Sequence, residues 1–101
     1  MDVDGYHIMQ IIKDRAGEHF HDVSYYKRTL KEDINENFLG VGAATFYFKK
    51  SFGMEDFIEL MNFLIDDLKI TIIHESILVA GKYYCFDINY RSILSYWERI
   101  K

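Results

Sequence analysis

Residues Met54–Leu68, MEDFIELMNFLIDDL, decide the fold. Phe57, Ile58, Met61, Leu64, Ile65 and Leu68 recur at the i, i+3, i+4, i+7 spacing of a helix that buries one side. At about 100° per residue, Glu55, Glu59, Asn62 and Asp66 fall nearly in one line on the other side. Asp56 and Asp67 flank that line, and no Lys or Arg interrupts it before Lys69. One side reads as core and the other as a strip of carboxylates.

The segments on either side of this helix read as strands. Upstream, Gly42, Ala44, Phe46 and Phe48 alternate with Val41, Ala43, Thr45 and Tyr47, a strand with both faces largely apolar. Ser51 and Gly53 break it ahead of the helix. Downstream, Ile70 to Val79 form a second strand, Ala80-Gly81 a tight turn, and Lys82 to Ile88 a returning strand, so the last two make a hairpin. Asn89 then caps a final helix with Tyr90, Ile93, Leu94, Trp97 and Ile100 on one side.

The amino-terminal part is less regular. Tyr6, Met9, Ile12 and Ala16, widened by Ile8 and Ile11, give a first helix capped by Asp2 or Asp4 and ended by Gly17. A strand over Tyr6 to Ile12 is the rival assignment, because the run is short and β-branched. Glu18 to Asp22 read as a polar connector. Asp22 or Ser24 would cap a second helix reaching about Asn35, with Val23, Tyr26, Leu30 and Ile34 along its buried line. Asn35, Asn37 and Gly40 end it. The expected fold is α+β: a small mixed sheet of about three strands, made of a βαβ unit plus a carboxy-terminal hairpin, covered by about four helices. Residues 1–101 are expected to form a single domain.

Composition narrows the function classes. Half of the 101 residues are apolar and 17% are aromatic, which is a globular and not a disordered composition. The net charge of -4 argues against a nucleic-acid binder that relies on phosphate neutralisation, and suits a basic protein partner. Cys85 is the sole cysteine and has no intramolecular disulfide partner. No apolar run approaches the roughly 18 residues of a membrane span, and no signal-peptide pattern opens the chain. The expected compartment is the cytoplasm, without membrane association.

Three groups of residues are candidates for chemistry. His19, His21, His74 and Glu75 could ligate zinc or iron, or serve as general acid and base in a hydrolase. No HExxH, paired CxxC or G-x-S-x-G motif accompanies them, and Gly40-Val41-Gly42 has neither the Rossmann nor the P-loop spacing. Histidines in polar loops are commonly just solvated. Cys85 has no nearby cation in sequence and reads as an inert small apolar residue. The eight tyrosines exceed what a core of this size needs, and Tyr83 or Tyr84 is a candidate aromatic anchor at an interface.

The third group is the acidic strip, Glu55, Asp56, Glu59, Asp66 and Asp67, which Glu75 and Asp87 could extend. A charged helix face is usually only solvated. This one lacks the basic partners at i, i+4 that surface helices normally intersperse. The leading expectation is a small acidic protein-binding module, an inhibitor or antidote that neutralises a basic partner without metal or cofactor. Its physical profile is similar to that of bacterial immunity proteins against nuclease toxins and of phage-encoded inhibitors, although no motif ties it to either group. The alternatives are a His-dependent or metal-dependent hydrolase and a homo-oligomeric structural or regulatory subunit; a monomer or a dimer fits the leading reading.

Overall fold

The computed structural model describes residues 3–27, 42–79 and 81–100. Helix α1 (Val3–Ala16) leads through a 3-10 turn (Gly17–His19) into strand β1 (Phe20–Lys27). Strand β2 (Gly42–Lys49) is followed by a second 3-10 turn (Lys50–Phe52) and helix α2 (Met54–Asp66). Strands β3 (Ile72–Val79) and β4 (Tyr83–Asn89) and helix α3 (Tyr90–Ile100) complete the order. The class is α+β, with a four-stranded antiparallel sheet of order β1-β2-β4-β3 and three helices among the described residues. Among the same residues, no helix is long and apolar enough to cross a membrane.

Two expectations are corrected. Residues 20–27, expected as a polar connector and the start of a second helix, form β1. They pair antiparallel with β2, Val23 opposite Phe46 and Ser24 opposite Thr45. An apolar Val23 between polar Asp22 and Ser24 suits a half-buried edge strand, and pairing with β2 overrides the weak 3.6-residue period. The rest of that expected helix, residues 28–35, and a cap by Asp2 lie outside what the structure describes, whereas Asp4 falls within α1 and not before it. The second correction concerns the βαβ unit. β2 and β3 run parallel on either side of α2, but β4 is inserted between them and hydrogen-bonds to both. The unit is split, and the sheet is antiparallel throughout.

The helices cover one face of the sheet. Ala44, Phe46 and Phe48 of β2 and Tyr84, Phe86 and Ile88 of β4 share that face by register and are all buried. They meet Ile8, Ile12 and Ala16 of α1, Phe57, Leu60, Met61 and Leu64 of α2, and Ile93 and Tyr96 of α3. Aromatic rings form the centre: Phe57 lies 5.8 Å from Phe48, 5.1 Å from Tyr84 and 5.7 Å from Phe86 between ring centroids. α1 is a helix, and Gly17 at φ 59° ends it where a side chain would be strained. Asn89 caps α3 as expected, its Oδ1 accepting from the Arg91 N–H at 2.7 Å.

α2 ends less easily. Past its last turn the Ile70 N–H donates back to the Leu64 carbonyl at 2.9 Å, which requires Lys69 between them to take φ 57°. Among the described residues Lys69 is the only non-glycine in the left-handed region, which costs an L-residue roughly 1–2 kcal/mol. Lys69→Gly should therefore raise the unfolding free energy by about 0.5–1 kcal/mol after the extra backbone entropy of glycine is subtracted. Urea unfolding of the two proteins measures this directly; a lower midpoint for the glycine variant would mean that Lys69 makes a compensating contact.

Candidate functional site

The outer surface of α2 is built by the packing of its inner one. Taking Met54 as 0° and about 100° per residue, the buried Phe57, Leu60, Met61 and Leu64 centre near 290°. Directly opposite, near 110°, stand Glu55, Glu59 and Asp66 with Asn62 beside them, all exposed. Asp56 and Asp67 are exposed on the flank near 210°. All five expected carboxylates are exposed, three in the row near 110° and two on the flank near 210°, with Phe63 at about 180°, under the Arg15 guanidinium of α1, between the two groups. α2 holds no Lys or Arg, and among the described residues none of the five is in an ion pair.

Helix electrostatics separates these five into two groups. Glu55 and Asp56 occupy the first turn, where the positive end of the helix dipole stabilises them. Their presence has a structural explanation. Asp66 and Asp67 stand at the opposite end, where the dipole is negative and no basic residue occupies the last turn. A charge of the wrong sign there costs roughly 0.3–1 kcal/mol at an exposed position. Arg99 does reach this end, but its guanidinium donates to the Leu68 carbonyl at 2.7 Å. Packing and capping account for neither Asp66 nor Asp67.

The flank of α2 near α1 is different in character. There Arg15 lies over the Phe63 ring, 3.4 Å from its centroid, in a cation–π contact. Arg15, His19, Phe52, Asp56, Glu59 and Leu60 line a cleft of about 250 Å³. His19 stacks on Phe52 at 5.7 Å between centroids, and its Nδ1 is 2.8 Å from the Ser51 hydroxyl. One edge of the acidic surface thus borders a mixed-charge cleft.

The structure does not bring the remaining candidates to this surface. Tyr84 faces the helices, is buried, and stacks on Phe57; it belongs to the core and is not an exposed anchor. Tyr83 points to the face of the sheet away from the helices, stacked on His21 at 4.4 Å and edge-on to Tyr47 at 6.3 Å. It is on the opposite side of the sheet from α2. Glu75 is exposed on the helix-bearing side of β3, whereas Asp87 is on the face away from the helices.

The histidines are dispersed as well. His21 is on β1 and His74 on β3, the two outer strands, which lie three strand spacings apart, roughly 14 Å. His74 hydrogen-bonds the Ser76 hydroxyl at 3.0 Å, while Glu75 pairs with Phe86 on the other face. Zinc ligands must lie about 2 Å from one ion, so His19, His21, His74 and Glu75 do not form one centre in this arrangement. Among the described residues, no three His, Cys, Asp or Glu side chains gather into a metal-binding group.

Cys85 is buried on the face away from the helices, beside Ser76 and Asp87. Burial, then the neighbouring Asp87 carboxylate, push its thiol above the ordinary value of 9.0, and hydrogen bonding with Ser76 only partly offsets them. The thiolate is the reactive form, so the native protein should resist the thiol reagent DTNB at mildly alkaline pH while the urea-unfolded chain reacts fully within minutes. The folded chain also keeps this proton where the unfolded chain loses it. The Cys85 contribution to stability is thus intact below the unfolded thiol pKa and should be lost as pH rises through the folded one. Fast native labelling would contradict the burial.

The apolar side of α2 departs from the sequence expectation. Ile58 and Ile65, expected in the core, are 41% and 42% exposed, and Met54 is 50% exposed. Leu60, outside the expected stripe, is buried. The helix is rotated by roughly 50° from the orientation that its apolar residues alone suggest. The sheet rings accept Phe57 between them, and that contact sets the rotation. The clue in the sequence is the width of the apolar arc, about 160° once Leu60 is counted, against the 100° or so that one interface needs. No family model, curated protein or solved structure matches this chain.

Proposed function

We propose that this chain is a small protein-binding module that occludes a basic partner, an inhibitor or antidote acting in the cytoplasm by steric and electrostatic blocking. The observation that supports the reading is the outer surface of α2: five exposed carboxylates, no Lys or Arg within the helix itself, and two of the five held against the helix dipole. Carboxylates grouped in this way complement, in sign, the cations that would otherwise hold a polyanion. They also attract a basic surface over about one Debye length, roughly 10 Å at 0.1 M salt. A nuclease or another nucleic-acid-binding effector has the complementary chemistry.

The reading is tested on the activity of the partner. A basic protein captured from the native host by this chain should lose its activity on nucleic acid in proportion to added chain, reaching full inhibition at one equivalent. A partner that remains fully active at saturation would make the chain an adaptor and not an inhibitor.

A further inference from the structure

Resting on the acidic docking reading, we propose that the surface of α2 receives an amphipathic helix of the partner, one whose apolar stripe is bordered by Lys or Arg. Met54, Ile58 and Ile65 are each 41–50% exposed and fall within about 40° of one another around α2. They make an apolar line about 16 Å long, roughly three helical turns, beside the row of Glu55, Glu59 and Asp66. The line is on the side of α2 away from Phe63 and the Arg15 of α1. β3 also contacts α2, and its Ile77, on the helix-bearing side of the sheet by register, is 47% exposed. An apolar line with carboxylates along one border is the complement of a helix carrying apolar residues at i, i+4 and i+7 and cations beside them.

Charge selects this occupant over a second copy of the chain. In an antiparallel pair of α2 surfaces the two acidic borders fall on the same side, Glu55 near the other copy's Asp66 and Glu59 near its own counterpart, and in a parallel pair they fall on opposite borders; in neither does α2 supply a Lys or Arg to match them. The neighbouring edge does not favour an added strand either. The β3 register breaks between Ile72 and His74 and again between Ser76 and Val79, and such bulges interrupt the straight ladder that strand addition needs. A helix lies along a helix without using either edge.

The test uses synthetic probes on the full chain, read by NMR shifts and titration. One probe is a peptide of about 18 residues with Leu at helical spacing bordered by Lys; the second has the same composition in scrambled order, and the third is polylysine. The ordered peptide should bind at least about tenfold more tightly than the scrambled one, with shifts centred on α2. Ile58→Gln with Ile65→Gln leaves charge and helix propensity nearly unchanged, and should remove that tenfold advantage while polylysine binding stays as it was. Equal binding of ordered and scrambled peptides, or an unchanged advantage in the double Gln variant, would overturn the apolar line and leave the acidic surface standing. Failure of all three probes would overturn the acidic reading itself. Sedimentation showing a dimer that the Gln variant dissolves would give the surface to a second copy and overturn the proposal.

Discussion

Replacing Phe48 with alanine is expected to cost about 3–5 kcal/mol of stability, the range for deleting a buried aromatic ring. Phe48 is fully buried and meets four other rings: Phe20 at 5.9 Å, Phe52 at 5.3 Å, Phe57 at 5.8 Å and Phe86 at 5.3 Å between centroids. These partners come from β1, the turn before α2, α2 itself and β4, so no single element can move in to fill the space. Small proteins hold only about 5–15 kcal/mol in total, and the variant should be largely unfolded near physiological temperature or melt far below the parent. Urea unfolding gives the value. A loss under about 1.5 kcal/mol would mean that the cavity collapses and that Phe48 is not the hub of the core.

The largest functional effect is expected from Glu59→Lys combined with Asp66→Lys. Partner affinity at low salt should fall about 100-fold or more, because two attractions become two repulsions on the outermost line of α2. Most of the loss should be in the association rate, and it should shrink as salt is added. Stability should move the other way or not at all. A lysine at position 66 would sit in the last turn, where the dipole favours a cation, and one at position 59 would gain Glu55 at i−4; together these are worth roughly 0.5–1 kcal/mol. A variant that melts at or above the parent temperature but no longer binds would identify carboxylates retained at a cost to the fold. Weaker binding with an equal loss of stability would instead mean a damaged helix.

How much of this was legible in the sequence differs between elements. α2 and α3 were readable because each has a one-sided period and a local start, Gly53 at φ 84° before one and the Asn89 cap before the other. The β3–β4 hairpin was readable from Gly81, whose φ of 70° a tight turn requires. β1 was not. Its residues satisfy a helical line as well as a strand alternation, and only pairing with β2 decides between them, a contact between segments that local propensity does not contain. The acidic row was readable because it stands opposite the core for any plausible rotation of α2. The apolar line beside it was not, because the buried half of a wide apolar arc is chosen by the rings of β2 and β4. The Tyr83–Tyr84 pair meets the same limit: strand alternation sends one ring to the helix-covered core and the other to the opposite face, but which is which depends on the side the helices cover.

Whether the carboxylates of α2 are a binding surface for a basic protein is decided most directly by capture from native host lysate. The parent chain and the Glu59→Lys, Asp66→Lys variant are compared side by side at about 50 mM and about 500 mM salt. The expected outcome is a basic protein held by the parent at low salt, released at high salt, and absent from the variant at both. The same protein captured equally by parent and variant, with the variant fully folded, would remove the acidic surface of α2 as the docking site.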